Sequence, residues 1–213
     1  MAYNIHHLVK GVVKGILPFY LFTFLPFSAA AQVALKTEGL DADYVETIKQ
    51  RSQKIVDGLQ LSDAQKAENV RNIIANRYFL LNEIHGKYDK KTQQDAINAE
   101  LYKHHFELAS ALALYLTDDQ IDAVKDGMTF GRLKRDYNAQ LDMIPSLTDE
   151  EKAQVLIWLK EAREYAMDAA DSKGRHFWFD KYRGRTNNWL SARGYDLKKE
   201  RENWQKRLEK MKK

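Results

Sequence analysis

Apolar residues recur at spacings of three and four along most of the chain. Val45, Ile48, Ile55 and Val56 gather on one side when positions are stepped at about 100° per residue, as do Val70, Ile73, Ile74, Leu81 and Ile84. Leu101, Leu108, Leu112 and Leu116 form a third stripe, and Val155, Trp158, Leu159, Ala162 and Ala166 a fourth. The period of two that a half-buried strand requires is sustained nowhere. The pattern therefore predicts an all-α fold, a single-domain helical bundle of about six or seven helices.

One local signal marks where several of these helices begin. "LSDAQ" at Leu61–Gln65, "LTDDQ" at Leu116–Gln120 and "LTDEE" at Leu147–Glu151 each place a hydroxyl before a helical stripe and a Gln or Glu three residues later. The hydroxyl accepts from an otherwise unpaired N–H of the first turn and the longer side chain answers reciprocally, which is a capping box. Asp63, Asp118 and Asp149 add negative charge at the positive end of the helix dipole. Leu116 is placed to staple onto Ile121, and Asp196, after Gly194, opens a last helix carrying Leu197, Trp204, Leu208 and Met211. The exception is "DGMTFGRLKRDYNAQLDMIPS", Asp126–Ser146, where Gly127, Gly131 and Pro145 bracket an irregular connection with room for a short helix at most.

The amino-terminal residues read as an address. Lys10 and Lys14 precede "ILPFYLFTFLPFSAAAQ", an apolar run broken by prolines and ending in small residues, with no acid before it. This is the layout of a secretory signal peptide covering residues 1–31, cleaved after Ala31 and leaving residues 32–213 as a single helical domain. No cysteine stands at the cut, so lipid anchoring of the lipoprotein kind is excluded, and the product is expected to be periplasmic or secreted with no stable membrane anchor. The whole chain lacks cysteine, which removes disulfides, thiolate catalysis and thiolate metal ligation.

Charge is distributed unevenly. The section 171–213 contains 14 Lys or Arg against 6 Asp or Glu, a net of +8, so the expected mature body before it carries about −6. Such asymmetry suits either an anionic partner or a charge match within one fold. Export removes nucleic acid from the candidates.

The basic section contains "RHFWFDKYRGRTNNWL", Arg175–Leu190, with five aromatic rings and four cationic side chains. At helical pitch Trp178, Phe179, Tyr182, Trp189 and Leu190 share a core-width stripe, and core packing is the first explanation. Arg175, Arg185 and Arg193 border that stripe, while Arg183, Asn187 and Asn188 lie beyond it. Rings stack on sugar faces and arginines pair with carboxylates in a forked geometry, so Trp178, Tyr182, Arg183, Arg185, Asn188 and His176 form the candidate ligand-binding set. Arg77 and His105 are polar groups on stripes expected to be buried, and each needs a partner. His104 lies between Glu100 and Glu107 without a second histidine, which reads as a salt-bridging face rather than a metal site. No nucleophile–histidine–acid spacing, phosphate-binding glycine loop or zinc signature is visible, and no metal or cofactor is expected.

The stretch Asp142–Glu200, which contains the third capping box and the aromatic basic run, resembles a secreted bacterial family catalogued as domain of unknown function 3826. The likeness extends from Leu61 to Trp204. It implies a signal peptide and a setting near polysaccharide-degradation genes, pectin-type glycans included, and brings no catalytic or ligand residues with it. The three boxes alone bear a looser likeness to the Leu-Thr-x-x-Gln motifs of periplasmic stress chaperones. Together these readings lead to an exported, non-catalytic helical protein that binds acidic glycan fragments or a protein partner in polysaccharide utilisation. The alternatives are a glycan-active enzyme of lyase or hydrolase type and a periplasmic chaperone or stress-sensing module.

Overall fold

The computed structural model describes residues 32–211. The predicted signal peptide lies outside the described residues. Gln32–Lys213 form one compact unit.

Among the described residues the chain forms nine helices and no strand, so the all-α class holds. They are α1 (Ala42–Asp57), α2 (Ala64–Lys87), α3 (Gln94–His104), α4 (Glu107–Leu112), α5 (Asp118–Met128), α6 (Arg132–Met143), α7 (Asp149–Met167), α8 (Ser172–Ala192) and α9 (Leu197–Met211). The count exceeds the expected six or seven at two places. Arg77 Nη1 takes the carbonyl of His104 at 2.8 Å, an oxygen that a continuous helix would use internally, and the Leu101–Leu116 stripe breaks there into α3 and α4. The stretch expected to be irregular is mostly helix. Gly127 lies inside α5, and a three-residue link leads into the twelve residues of α6.

Gly131 does mark the link, whereas Gly127 is part of a helix for a packing reason. A Cβ on Gly127 would meet the Ile55 side chain at 2.9 Å, so this glycine lets α5 approach α1 closely. Gly131 (φ 63°) and Phe130 (φ 57°) both adopt the left-handed conformation that reverses the chain between α5 and α6.

Local capping accounts for most helix starts. Thr117 and Thr148 form complete capping boxes with Gln120 and Glu151. In the first predicted box the cap is Asp63, which accepts from Lys66 N, and not Ser62. Asp41, Asp171 and Asp196 accept from Tyr44 N, Gly174 N and Lys199 N at the starts of α1, α8 and α9.

Two main packing centres result. Ile48, Val56, Ile74, Phe79, Leu112 and Val124 bring α1, α2, α4 and α5 together. Leu133, Val155, Leu159, Ala162, Phe179 and Tyr182 join α6, α7 and α8. Helices α7 and α8 run antiparallel, as Trp158 against Trp189 and Tyr165 against Trp178 show. Removing the Phe179 ring, which is fully buried, would cost about 3–5 kcal/mol. A smaller centre of Met143, Ile144, Leu147 and Leu190 receives Leu197 and Trp204 from α9, which has no buried residue of its own. Arg163, 2% exposed, ties α7 to α5 through Asp122 and Asp126, each at 2.6 Å.

The extended residues 32–37 are held against α2 by a ladder of asparagines. Val33 N donates to Asn69 Oδ1 at 2.9 Å and Asn72 Nδ2 donates to Val33 O at 2.7 Å. Asn76 then receives Lys36 N and donates to Ala34 O, both at 2.9 Å. Steps of three and four place the three amides on one face of the helix, which is why they match an extended backbone.

Candidate functional site

The aromatic basic run forms most of α8, and its packing divides the candidate residues. Tyr182 is buried, with its hydroxyl pKa raised by burial and by Glu161, so it is closed to a ligand. Trp178 is half-buried and stacks on Tyr165 at 4.5 Å with 19° between the rings. Arg183 meets Asp180 at 3.3 Å, and His176 is bonded to Arg132. Arg185 lies over Trp158 at 4.7 Å and reaches Glu161 at 3.4 Å, keeping more than half its side chain in solvent. Asn188 is exposed and its side chain makes no hydrogen bond with a described residue.

These placements leave one ridge open. Trp178, Lys181, Arg185 and Asn188 follow one another at steps of three, four and three, so they share a flank of α8. Lys181 has no acid partner among the described residues and sits 4.8 Å from the Trp178 ring centre. Phe177, 58% exposed, packs edge-on against Trp178 at the start of the ridge.

A second cluster forms where α1, α2, the α5–α6 link and α8 converge. Arg51 of α1 lies over the Tyr78 ring at 5.5 Å, and Arg175 of α8 lies over the Phe130 ring at 5.3 Å. Neither guanidinium makes an ion pair with a described residue, and Arg175 Nε is a buried donor without a partner. Burial first, then repulsion by Arg51, pushes the Arg175 pKa down. Tyr78 is buried and its hydroxyl pKa is raised by burial, against the opposing pull of Arg51 and Arg175. Phe130 is 65% exposed.

Sequence reasoning missed Arg51, Tyr78 and Phe130 as candidates. A signal for Arg51 was present: it lies three residues after Ile48 and four before Ile55, on the apolar stripe of α1. Nothing in the sequence points to Phe130, whose ring is brought to Arg175 by the left-handed link alone.

The third cluster surrounds Asp168 at the end of α7. Arg77 Nη2 donates to Asp168 Oδ1 at 2.5 Å and His105 Nδ1 donates to Asp168 Oδ2 at 3.0 Å. His85 Nε2 donates to the Asp168 carbonyl at 2.7 Å. The hydrogen bond to Asp168 raises the His105 pKa despite partial burial. His105 thus sits in the α3–α4 turn and not in mid-helix as the stripe implied. His104, on the neighbouring surface, bonds Glu107 at 2.8 Å. An open cleft of about 1070 Å³ lies beside this cluster, between the extended residues and α2, and its lining mixes apolar side chains with polar ones that include Arg77, Glu83, His104 and Glu107.

Among the described residues no group of three or more His, Asp or Glu is placed to hold a metal ion, and no helix is long and apolar enough to cross a membrane. Residues 45–210 match the family described as Protein of unknown function (DUF3826). The chain belongs to this family. Membership brings no reaction, ligand or catalytic residue with it, so function has to be read from the clusters above. No curated protein matches the chain.

Proposed function

We propose that this is an exported, non-catalytic helical protein that binds acidic glycan fragments, or an acidic partner in polysaccharide utilisation, along α8. The observation that carries the reading is the ridge Trp178–Lys181–Arg185–Asn188, with Phe177 beside it. Ten residues of helix span about 15 Å, enough for a short oligosaccharide rather than one sugar. A ring edge, two cations and an amide in one line suit a chain of hydroxyls and carboxylates. Export rests on the amino-terminal leader pattern.

Calorimetric titration of residues 32–213 with oligogalacturonides, together with retention on a polygalacturonate matrix, tests the reading. Binding that weakens with salt and is reduced in Lys181→Ala and Arg185→Ala is expected. Absence of both heat and retention removes it.

One observation favours a second reading, a glycan-active enzyme. His105 is oriented by Asp168 through Nδ1 while its Nε2 has no partner among the described residues, the arrangement a proton carrier needs. New reducing ends or unsaturated products from pectic substrates, lost in His105→Gln, would establish it.

A further inference from the structure

We infer that Arg51, Arg175 and the Tyr78 hydroxyl form a binding site for an organic carboxylate whose ring rests on Phe130. The inference rests on the acidic-ligand reading above and names a place in the fold where an anionic group would be held.

The comparison among buried arginines carries it. Arg77 has Asp168, Arg132 has Asp136 and Asp180, and Arg163 has Asp122 and Asp126. The fold thus gives a carboxylate to each guanidinium it buries fully, because a desolvated cation without one is costly. Arg175 breaks the pattern: it is partly buried, makes no ion pair with a described residue, and another arginine repels it, while an unpartnered Nε is a feature it shares with Arg77 and Arg163. The nearby acid, Asp171, is engaged in capping Gly174 N at 2.8 Å and forms no ion pair with Arg175.

Arg51 reaches the same cluster from the other side, but it is exposed and water solvates its charge. It faces the Tyr78 ring with no acid, and the Tyr78 hydroxyl, subject to the charge of both arginines, makes no hydrogen bond with a described residue. Arg51 lies on the Tyr78 ring and Arg175 is within electrostatic reach of both, so two guanidiniums and a phenol from three helices offer donors to an anion, and a guanidinium fork matches a carboxylate edge. The exposed Phe130 ring beneath Arg175 selects the rest of the ligand. A sugar acid or aromatic acid can lay an apolar face on it, whereas inorganic phosphate cannot.

The test uses residues 32–213 with galacturonate, digalacturonate, benzoate, acetate and inorganic phosphate, followed by calorimetry and thermal unfolding. Ring carboxylates should bind and raise Tm, more strongly than acetate or phosphate. Arg51→Met and Arg175→Met should each weaken that binding by about tenfold or more. Arg175→Met should leave the ligand-free Tm unchanged or higher, since it removes a partly buried cation that has no ion pair. Phe130→Ala should weaken the ring carboxylates and leave acetate unaffected.

The site is overturned if no ring carboxylate binds, if phosphate binds more tightly than all of them, or if both arginine variants bind as the parent does. Oligouronide binding that survives both substitutions would keep the α8 reading and remove this site. Benzoate or galacturonate binding that depends on Arg51 and Arg175, without any affinity for longer oligouronides, would keep the site and remove the glycan reading.

Discussion

Arg77 and Asp168 lie 91 positions apart and meet in a buried ion pair of 2.5 Å that joins the middle of α2 to the end of α7. The same carboxylate receives His105. One aspartate therefore holds three parts of the chain: α2, the α3–α4 turn and the carboxyl end of α7.

Asp168→Ala leaves Arg77 buried without an anion and should cost about 3–5 kcal/mol of unfolding free energy. Arg77→Met/Asp168→Leu should recover a substantial part, because apolar side chains need no compensation there. Urea unfolding of the two variants measures this. A single-variant loss below about 1 kcal/mol would show that water reaches the pair and weakens it.

His105 should make stability depend on pH in a defined direction. Its folded pKa lies above the ordinary histidine value of about 6.5, chiefly through the bond to Asp168, so protonation favours the folded state. The extra stability of wild type over His105→Gln is then fully present below about pH 6 and declines as pH rises through the folded pKa. It does not vanish, since the neutral ring still donates through Nδ1. Unfolding curves of both proteins from pH 5 to about 8.5 read the difference, and a difference that grows with pH contradicts the assignment.

Glu151 has the opposite sign. Its pKa is depressed to about 2, first by the Tyr195 hydroxyl, then by Thr148 N and Arg193. The advantage of wild type over Glu151→Gln should be present above about pH 5 and fall away as pH drops toward the folded pKa. Thr148→Ala removes the other half of the box and should cost about 1 kcal/mol at neutral pH. An NMR titration of the Glu151 carboxyl locates the midpoint, and one near 4 would remove the assigned contacts.

The asparagine ladder makes a prediction that hydrogen exchange reads residue by residue. Asn76→Ala should speed exchange at the Lys36 amide, whose acceptor it removes, and leave Val33, bonded to Asn69, protected. Equal acceleration at both amides would mean that the extended residues leave α2 as a unit.

Much of the architecture was legible because its causes are local. Thr117 with Gln120 and Thr148 with Glu151 act within one helical turn, and the stripes of α1, α2 and α7 carry their period in a single segment. Where a distant group intervened, local reasoning failed. The break at His104–His105 is tied to an arginine from another helix, and α6 was hidden because Arg132 and Gln140 share its buried face with Leu133 and Met143. The aromatic run of α8 shows both outcomes: periodicity gave the stripe, but only the approach of α7 buried Tyr182 and left Trp178 partly open.

The chain alone determined that this protein is helical, where several of its helices begin and which faces turn inward, since capping and a period near 3.6 residues depend on neighbours in sequence. Tertiary structure decided which charges are compensated. Whether a guanidinium finds a carboxylate depends on which helix faces meet across the core, and that contact brought Asp168 to Arg77 while leaving Arg51 over Tyr78 and Arg175 over Phe130 without an ion pair to a described residue.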